Sequence, residues 1–209
     1  MLPTHVLTGL ALALPYALAV PESAVGVLLA AFLGSLFPDL DLYLGHRRTL
    51  HYPVYFAVLA AFAGALSLAV PMVVTIGLAF FLLGAAVHCV MDIFGGGLEL
   101  RPWEGTSDRA VYDHYTDRWI APRHWVRYDG SPEDLALSIG LAVPLLITVD
   151  GILREVVLAS LAVGAVYTVV RRTLPVLAEV LASSVTEQLP AWLHTRVPAR
   201  YLAGSSDTR

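Results

Sequence analysis

The chain has 209 residues, of which 57% are hydrophobic and only 14% charged, against roughly 25% charged residues in an ordinary soluble domain. A mean hydropathy of +0.69 and a formal net charge of -4 exclude a basic nucleic-acid-binding face and point to a membrane protein. The single cysteine, Cys89, excludes an internal disulfide and a cysteine-based zinc site.

The opening stretch, MLPTHVLTGLALALPYALAV, has no Lys or Arg ahead of its apolar core. A secretory signal needs that positive charge, so the stretch reads as a retained first membrane segment. Apolar runs follow at 6–20, 24–37, 54–70, 72–91, 135–149 and 156–170. A spanning helix needs about 20 residues, within a range of about 17–25. The third and fourth runs fit; the first two are short and predict a tilted or partly inserted hairpin. The last two are short unless their flanks join them. Residues 93–134 form a polar loop rich in charge and aromatics, and structureless loops of that length are uncommon and usually functional. From Arg171 onward apolar and polar residues alternate, which predicts an interfacial amphipathic helix interrupted by Pro190, with His194 at the interface. The predicted fold is an all-α, multi-pass transmembrane bundle. Residues 1–170, polar loop included, form its membrane-embedded domain and 171–209 an interfacial tail.

Six spans place the start of the chain, the 38–53 and 92–134 loops and the tail on one side. That side holds twelve of the thirteen arginines, and only Arg154 lies opposite. The positive-inside rule makes it cytoplasmic and predicts a plasma-membrane protein.

Its polar residues gather at the same ends. His5 precedes the first run; Asp39 and Asp41 follow the second; His46 and His51 precede the third; His88 and Asp92 close the fourth. Four helix ends therefore converge on one pocket at the membrane surface, where charge costs far less than at the bilayer centre. His88 and Asp92 are four apart and share a helix face. His46 and His51 would diverge by about 140° on a continuous helix, so one belongs in the loop and the other near a helix start, which Pro53 supports. Asp39 and Asp41 share a side only in extended chain, and Pro38 favours such a break. Histidine with carboxylate and no thiolate suits Zn, Mn or Fe, as one ion or as a pair about 3.5–4 Å apart. The expected ligands are Asp39, Asp41, His46, His51, His88 and Asp92, with His5 as a further candidate. Asp41 doubles as a candidate general base, and Arg47 is the candidate substrate anchor. Arg48 reads as a topology determinant, and Asp113, His114, Asp117 and His124 as solvated loop residues.

In this order the residues resemble the YdjM-type inner-membrane metal-dependent hydrolases. The matching features are His5, an acidic box FPDLD (37–41), HRRTLH (46–51) and HCVMD (88–92), then the glycine- and proline-containing GGGLELRPW. The match covers about residues 1–104. Family members often read HRGxTHS where this chain has HRRTLHY, so Leu50 and Tyr52 remove two hydroxyls beside His51, and GGG replaces a TPxG-like stretch. The altered form is similar to haloarchaeal members, in keeping with the absence of lysine. The resemblance implies a membrane-bound metal-dependent hydrolase with zinc as the leading ion. Position at the interface adds a phosphoester or lipid head group as substrate and the bilayer as partner. The alternatives are a metal or proton transporter, which would place polar residues at mid-span, and a non-catalytic membrane protein whose metal staples helix ends.

Overall fold

Six helices and one small hairpin build the chain in the computed structural model, which describes residues 1–99 and 101–186. The helices are α1 (Leu2–Ala19), α2 (Ala24–Leu36), α3 (Pro53–Ala69), α4 (Val73–Phe94), α5 (Pro132–Thr148) and α6 (Gly151–Thr186). Proline sets several starts: Pro3, Pro53 and Pro132 lie in first turns, where their missing N–H would have had no helical partner. Pro15, Pro144 and Pro175 lie inside helices, as spanning helices tolerate when neighbours support the freed carbonyl.

The helix made first is the hub. α1 packs against α2, α4, α5 and α6, and its Leu7, Leu10, Ala13 and Leu14 join Val27, Leu28, Ala31, Leu145 and Val157 in the main apolar core. A smaller core of Phe56, Ala85, Ala86 and Cys89 joins α3 to α4. Outward faces carry exposed Phe62, Leu68, Val73, Val74 and Ile147, an apolar surface suited to lipid rather than water. Among the described residues, four stretches are long and apolar enough to cross a membrane: Leu2–Ala19, Pro21–Asp41, Val73–Phe94 and Gly151–Pro175. The first two runs, expected to be short, reach that length because their helices absorb flanking residues. α3, at 17 residues, is about 26 Å long and packs at the edge against α4. α5 carries Glu133 and Asp134 in its first turn.

Small residues set the distance between α2 and α4. A Cβ on Gly34 would come within 2.8 Å of the Phe81 Cα, and one on Gly84 within 2.7 Å of the Ala31 carbonyl oxygen. Only hydrogen at these positions lets the two backbones meet. Gly34→Val is therefore expected to force the pair apart and to cost about 1–3 kcal/mol or more, as overpacking does. Thermal unfolding in detergent checks this; an unchanged melting temperature would refute the close-packing account.

Three expectations about the second half need correction. The 93–134 segment is not structureless: β1 (Val111–Asp113) pairs antiparallel with β2 (Arg118–Ile120), with Tyr112 opposite Trp119. α5 starts before its apolar run because the Ser131 side chain caps it, accepting the Asp134 N–H at 3.2 Å. α6 does not stop at residue 170; it runs unbroken through Arg171 and Pro175 to Thr186. Pro190 and His194 lie outside the described residues.

Candidate metal centre

Asp39, His51, His88 and Asp92 come together where α2 and α4 end and α3 begins. Each offers one ligand atom, and these atoms all lie within 4.8 Å of one another. Asp39 Oδ1 is 3.3 Å from His88 Nε2 and 3.7 Å from His51 Nε2. Asp92 Oδ2 is 3.2 Å from His51 Nε2 and 3.5 Å from His88 Nε2. Four ligands at about 2.0–2.1 Å in a tetrahedron stand about 3.3–3.4 Å apart, so these separations are those of a coordination shell. Hydrogen-bond geometry is missing: His51 Nε2, His88 Nε2 and Asp92 Oδ2 are buried with no hydrogen-bond partner. Buried polar atoms without partners are rare and costly. A divalent ion among them would satisfy all three, so the residues fit one.

The second nitrogen of each histidine is held. His88 Nδ1–H donates to the Ser35 carbonyl at 2.6 Å, a contact that the close approach of α2 to α4 makes available. His51 Nδ1–H donates to Asp41 Oδ2 at 3.0 Å. Both bonds fix the tautomer that leaves Nε2 free for a metal. Burial disfavours the charged His51 ring, but the hydrogen bond with Asp41 and the nearby Asp92 carboxylate outweigh it and raise its pKa above the ordinary value. A ligand imidazole must be neutral, so an ion displaces a proton here.

Local conformation divides the acidic pair. Phe37–Asp41 is a 3-10 turn continuing α2, not extended chain. With three residues per turn, side chains two apart diverge by about 120°. Asp39 faces α4, while Asp41 lies behind His51, where Oδ2 also accepts the Leu50 N–H at 3.0 Å. Asp41 is thus a support for His51 and not a member of the four-residue cluster. His46, also expected as a ligand, stands at the rim: its Nδ1 is 3.2 Å from Asp41 Oδ1 and 3.8 Å from Asp39 Oδ1, with the side chain 29% exposed. His5 lies against the cluster, its ring 4.0 Å from that of His88 and its Nε2 3.5 Å from Asp92 Oδ1. Both its ring nitrogens are buried without hydrogen bonds.

Arg47 is buried, and its backbone has a left-handed φ of 60°, a conformation that costs a side-chain-bearing residue energy and marks constrained sites. Its Nη1 donates to the Gly96 carbonyl at 2.7 Å, and its Nη2 is 3.3 Å from Asp92 Oδ1. Only Nε stays without a partner. The expected substrate anchor is therefore first a counter-charge for Asp92. The 95–131 loop pins this turn: Tyr112 N–H donates to the Arg47 carbonyl at 2.9 Å, and His114 Nε2–H to the Arg48 carbonyl at 2.6 Å. Asp113 caps its own turn through Tyr115 and Thr116, Asp117 accepts from Tyr112, and His124 bonds the Arg127 carbonyl. None of these loop residues joins the cluster.

Against the centre lies a cavity of about 290 Å³, lined by His5, Asp39, Arg47 and Asp92 together with Asp129, Val163 and Tyr167. The Tyr167 hydroxyl donates to Asp129 at 2.9 Å. The sequence reading missed Asp129, Tyr167 and the Ser35 carbonyl. The first sits in YDGSPED among other solvated-looking acids, and backbone carbonyls leave no trace in a pattern of side chains.

Fold and site together define an all-α bundle with an apolar outer surface and a two-histidine, two-aspartate cluster at one end of its helices. Comparison with protein-family models, with curated proteins and with solved structures returned no match.

Proposed function

We propose that the chain is a membrane-bound metal-dependent hydrolase of the YdjM type, with its centre at the cytoplasmic membrane face and a phosphoester or lipid head group as substrate. The observation that supports this best is the close spacing of four ligand atoms, three of them buried without hydrogen-bond partners, beside a cavity that Asp39 and Asp92 help to line. Asp39, His51, His88 and Asp92 would hold a divalent ion; zinc, manganese and iron all suit the donor set. The ion would supply Lewis acidity and activate water. In hydrolysis the water oxygen bonds to phosphorus, the ester P–O bond breaks, and the alcohol leaves with a proton. Arg47 holds Asp92 in place and keeps one N–H for an oxyanion. His46, partly exposed and hydrogen-bonded to Asp41, would take the proton from the water and return it to the leaving alcohol.

A structural metal has one observation in its favour: four protein ligands fill a tetrahedral shell, as in structural zinc sites. The cavity against Asp39 and Asp92 favours catalysis instead. Elemental analysis of the purified protein, with phosphoester turnover measured before and after chelation, separates the readings. About one bound ion with chelator-sensitive turnover is expected; a bound ion without turnover on any phosphoester supports the staple, and no ion at all removes both.

Topology has its own test. Cysteines introduced at Asp108 and at Glu155, both exposed, are expected to react from opposite faces of the membrane, Asp108 from the cytoplasm. Labelling of both from one face would break the six-pass arrangement.

A further inference from the structure

We infer that the substrate is a phosphate-headed lipid that enters sideways from the bilayer, its acyl chain lying along α6 while its head reaches the metal centre. The inference rests on the hydrolase reading and adds the route and the substrate class. Ala162, Val163, Val166, Tyr167 and Val170 line a shallow, open apolar groove on the outside of α6. Val163 and Tyr167 also line the polar cavity, so groove and cavity share a wall. The groove lies inside Gly151–Pro175, one of the stretches able to cross a membrane, and over eight residues it runs about 12 Å along the helix axis. Val163 is 58% and Val166 63% exposed, so nothing in the bundle covers them and acyl chains are their natural neighbours.

The polar end matches a phosphate. Arg47 Nε and both His5 nitrogens are buried without hydrogen bonds on residues that line the cavity, and a dication held by Asp39 and Asp92 would offset their carboxylates. Arg171, whose Nε is also buried without a hydrogen bond, follows the last groove residue, Val170, and places another cation where an anionic head group crosses into water. Leu42, 55% exposed, contributes an apolar edge to the same cavity. A small soluble phosphoester would use the polar end alone and would have no use for the groove.

The test uses full-length protein in nanodiscs with its metal content measured in the same samples. One probe is a phosphatidic acid with a diazirine near the middle of an acyl chain; the control is a phosphatidylcholine carrying the same chain. Every lipid-facing helix meets bulk lipid, so the readout is the head-group preference of labelling. The phosphatidic acid probe is expected to label residues 162–170 at least tenfold more than the control. Val166→Trp, which fills the groove on an exposed face, should erase that preference while leaving the metal bound. Equal labelling by both probes in metal-loaded protein overturns the inference and leaves the hydrolase reading standing. Equal labelling in protein that binds no metal overturns both. Selective labelling in metal-free protein keeps the lipid site and removes the metal centre. A preference that inorganic phosphate abolishes and groove filling does not would assign the site to free phosphate and overturn the lipid route.

Discussion

Asp92→Ala is expected to empty the metal centre and to weaken the fold at the same time. Its carboxylate meets His51 and His88 through Oδ2, and His5 and Arg47 through Oδ1. Alanine removes one member of the cluster and deprives the Arg47 guanidinium, 5% exposed, of its nearest carboxylate. Removing one partner of a buried ion pair costs about 3–5 kcal/mol. A resident ion adds stability by mass action, so chelation should lower the melting temperature of the parent protein and not that of the variant. Asp92→Asn separates the two effects: it keeps the shape beside Arg47 yet supplies a far poorer ligand. Full metal content in the alanine variant would sink the four-residue centre.

Asp41→Asn tests the residue whose role the structure changes most. It stands outside the four-residue cluster, and its Oδ2 receives both the His51 Nδ1–H and the Leu50 N–H. An asparagine oxygen can accept both bonds, but the loss of charge makes His51 a weaker base and a weaker ligand. Losing such a partner typically costs about 10–100-fold in metal affinity or activity. The expected result is metal affinity reduced within that range, with turnover recovering as metal is added back. Unchanged metal affinity with lost turnover would instead make Asp41 the general base.

The outline of the site was legible because an apolar chain has few uses for histidine and aspartate at four helix ends, and span parity collects those ends on one side. His88 and Asp92 were the firmest pair, since helical spacing alone aligns them. The division of seven candidates into four that cluster and three that border them was not legible. It turns on whether Pro38 ends α2 in extended chain or in a 3-10 turn, a choice fixed by packing against α4. The Arg47 contact with Asp92 was not legible for a similar reason: its inward turn depends on a positive φ held by Tyr112, some sixty residues away. Residue types and span parity suggested the donor set but not the supporting carbonyl of Ser35, which follows from two glycines at a helix crossing. The polar alternation after Arg171 was read as a separate tail, yet a helix tolerates that pattern equally well, and α6 continues through it.

The hub position of α1 has a consequence for the order in which the protein assembles. Asp39, His51, His88 and Asp92 all lie in the first 92 residues, on segments that pack together without α5 or α6. During synthesis the four-residue cluster is therefore complete while the second half is still being made. The far wall of the cavity arrives late: Asp129 and Tyr167 come only with the loop and α6. Thr4 waits for partners more than a hundred residues distant, donating to Asp134 and meeting Ser138 Oγ at 2.8 Å. Those contacts draw α5 against the first helix and finish enclosing it. The nascent chain therefore carries a complete but open ligand cluster before the cavity has its far wall, and its last two helices act as the closing half of a clasp.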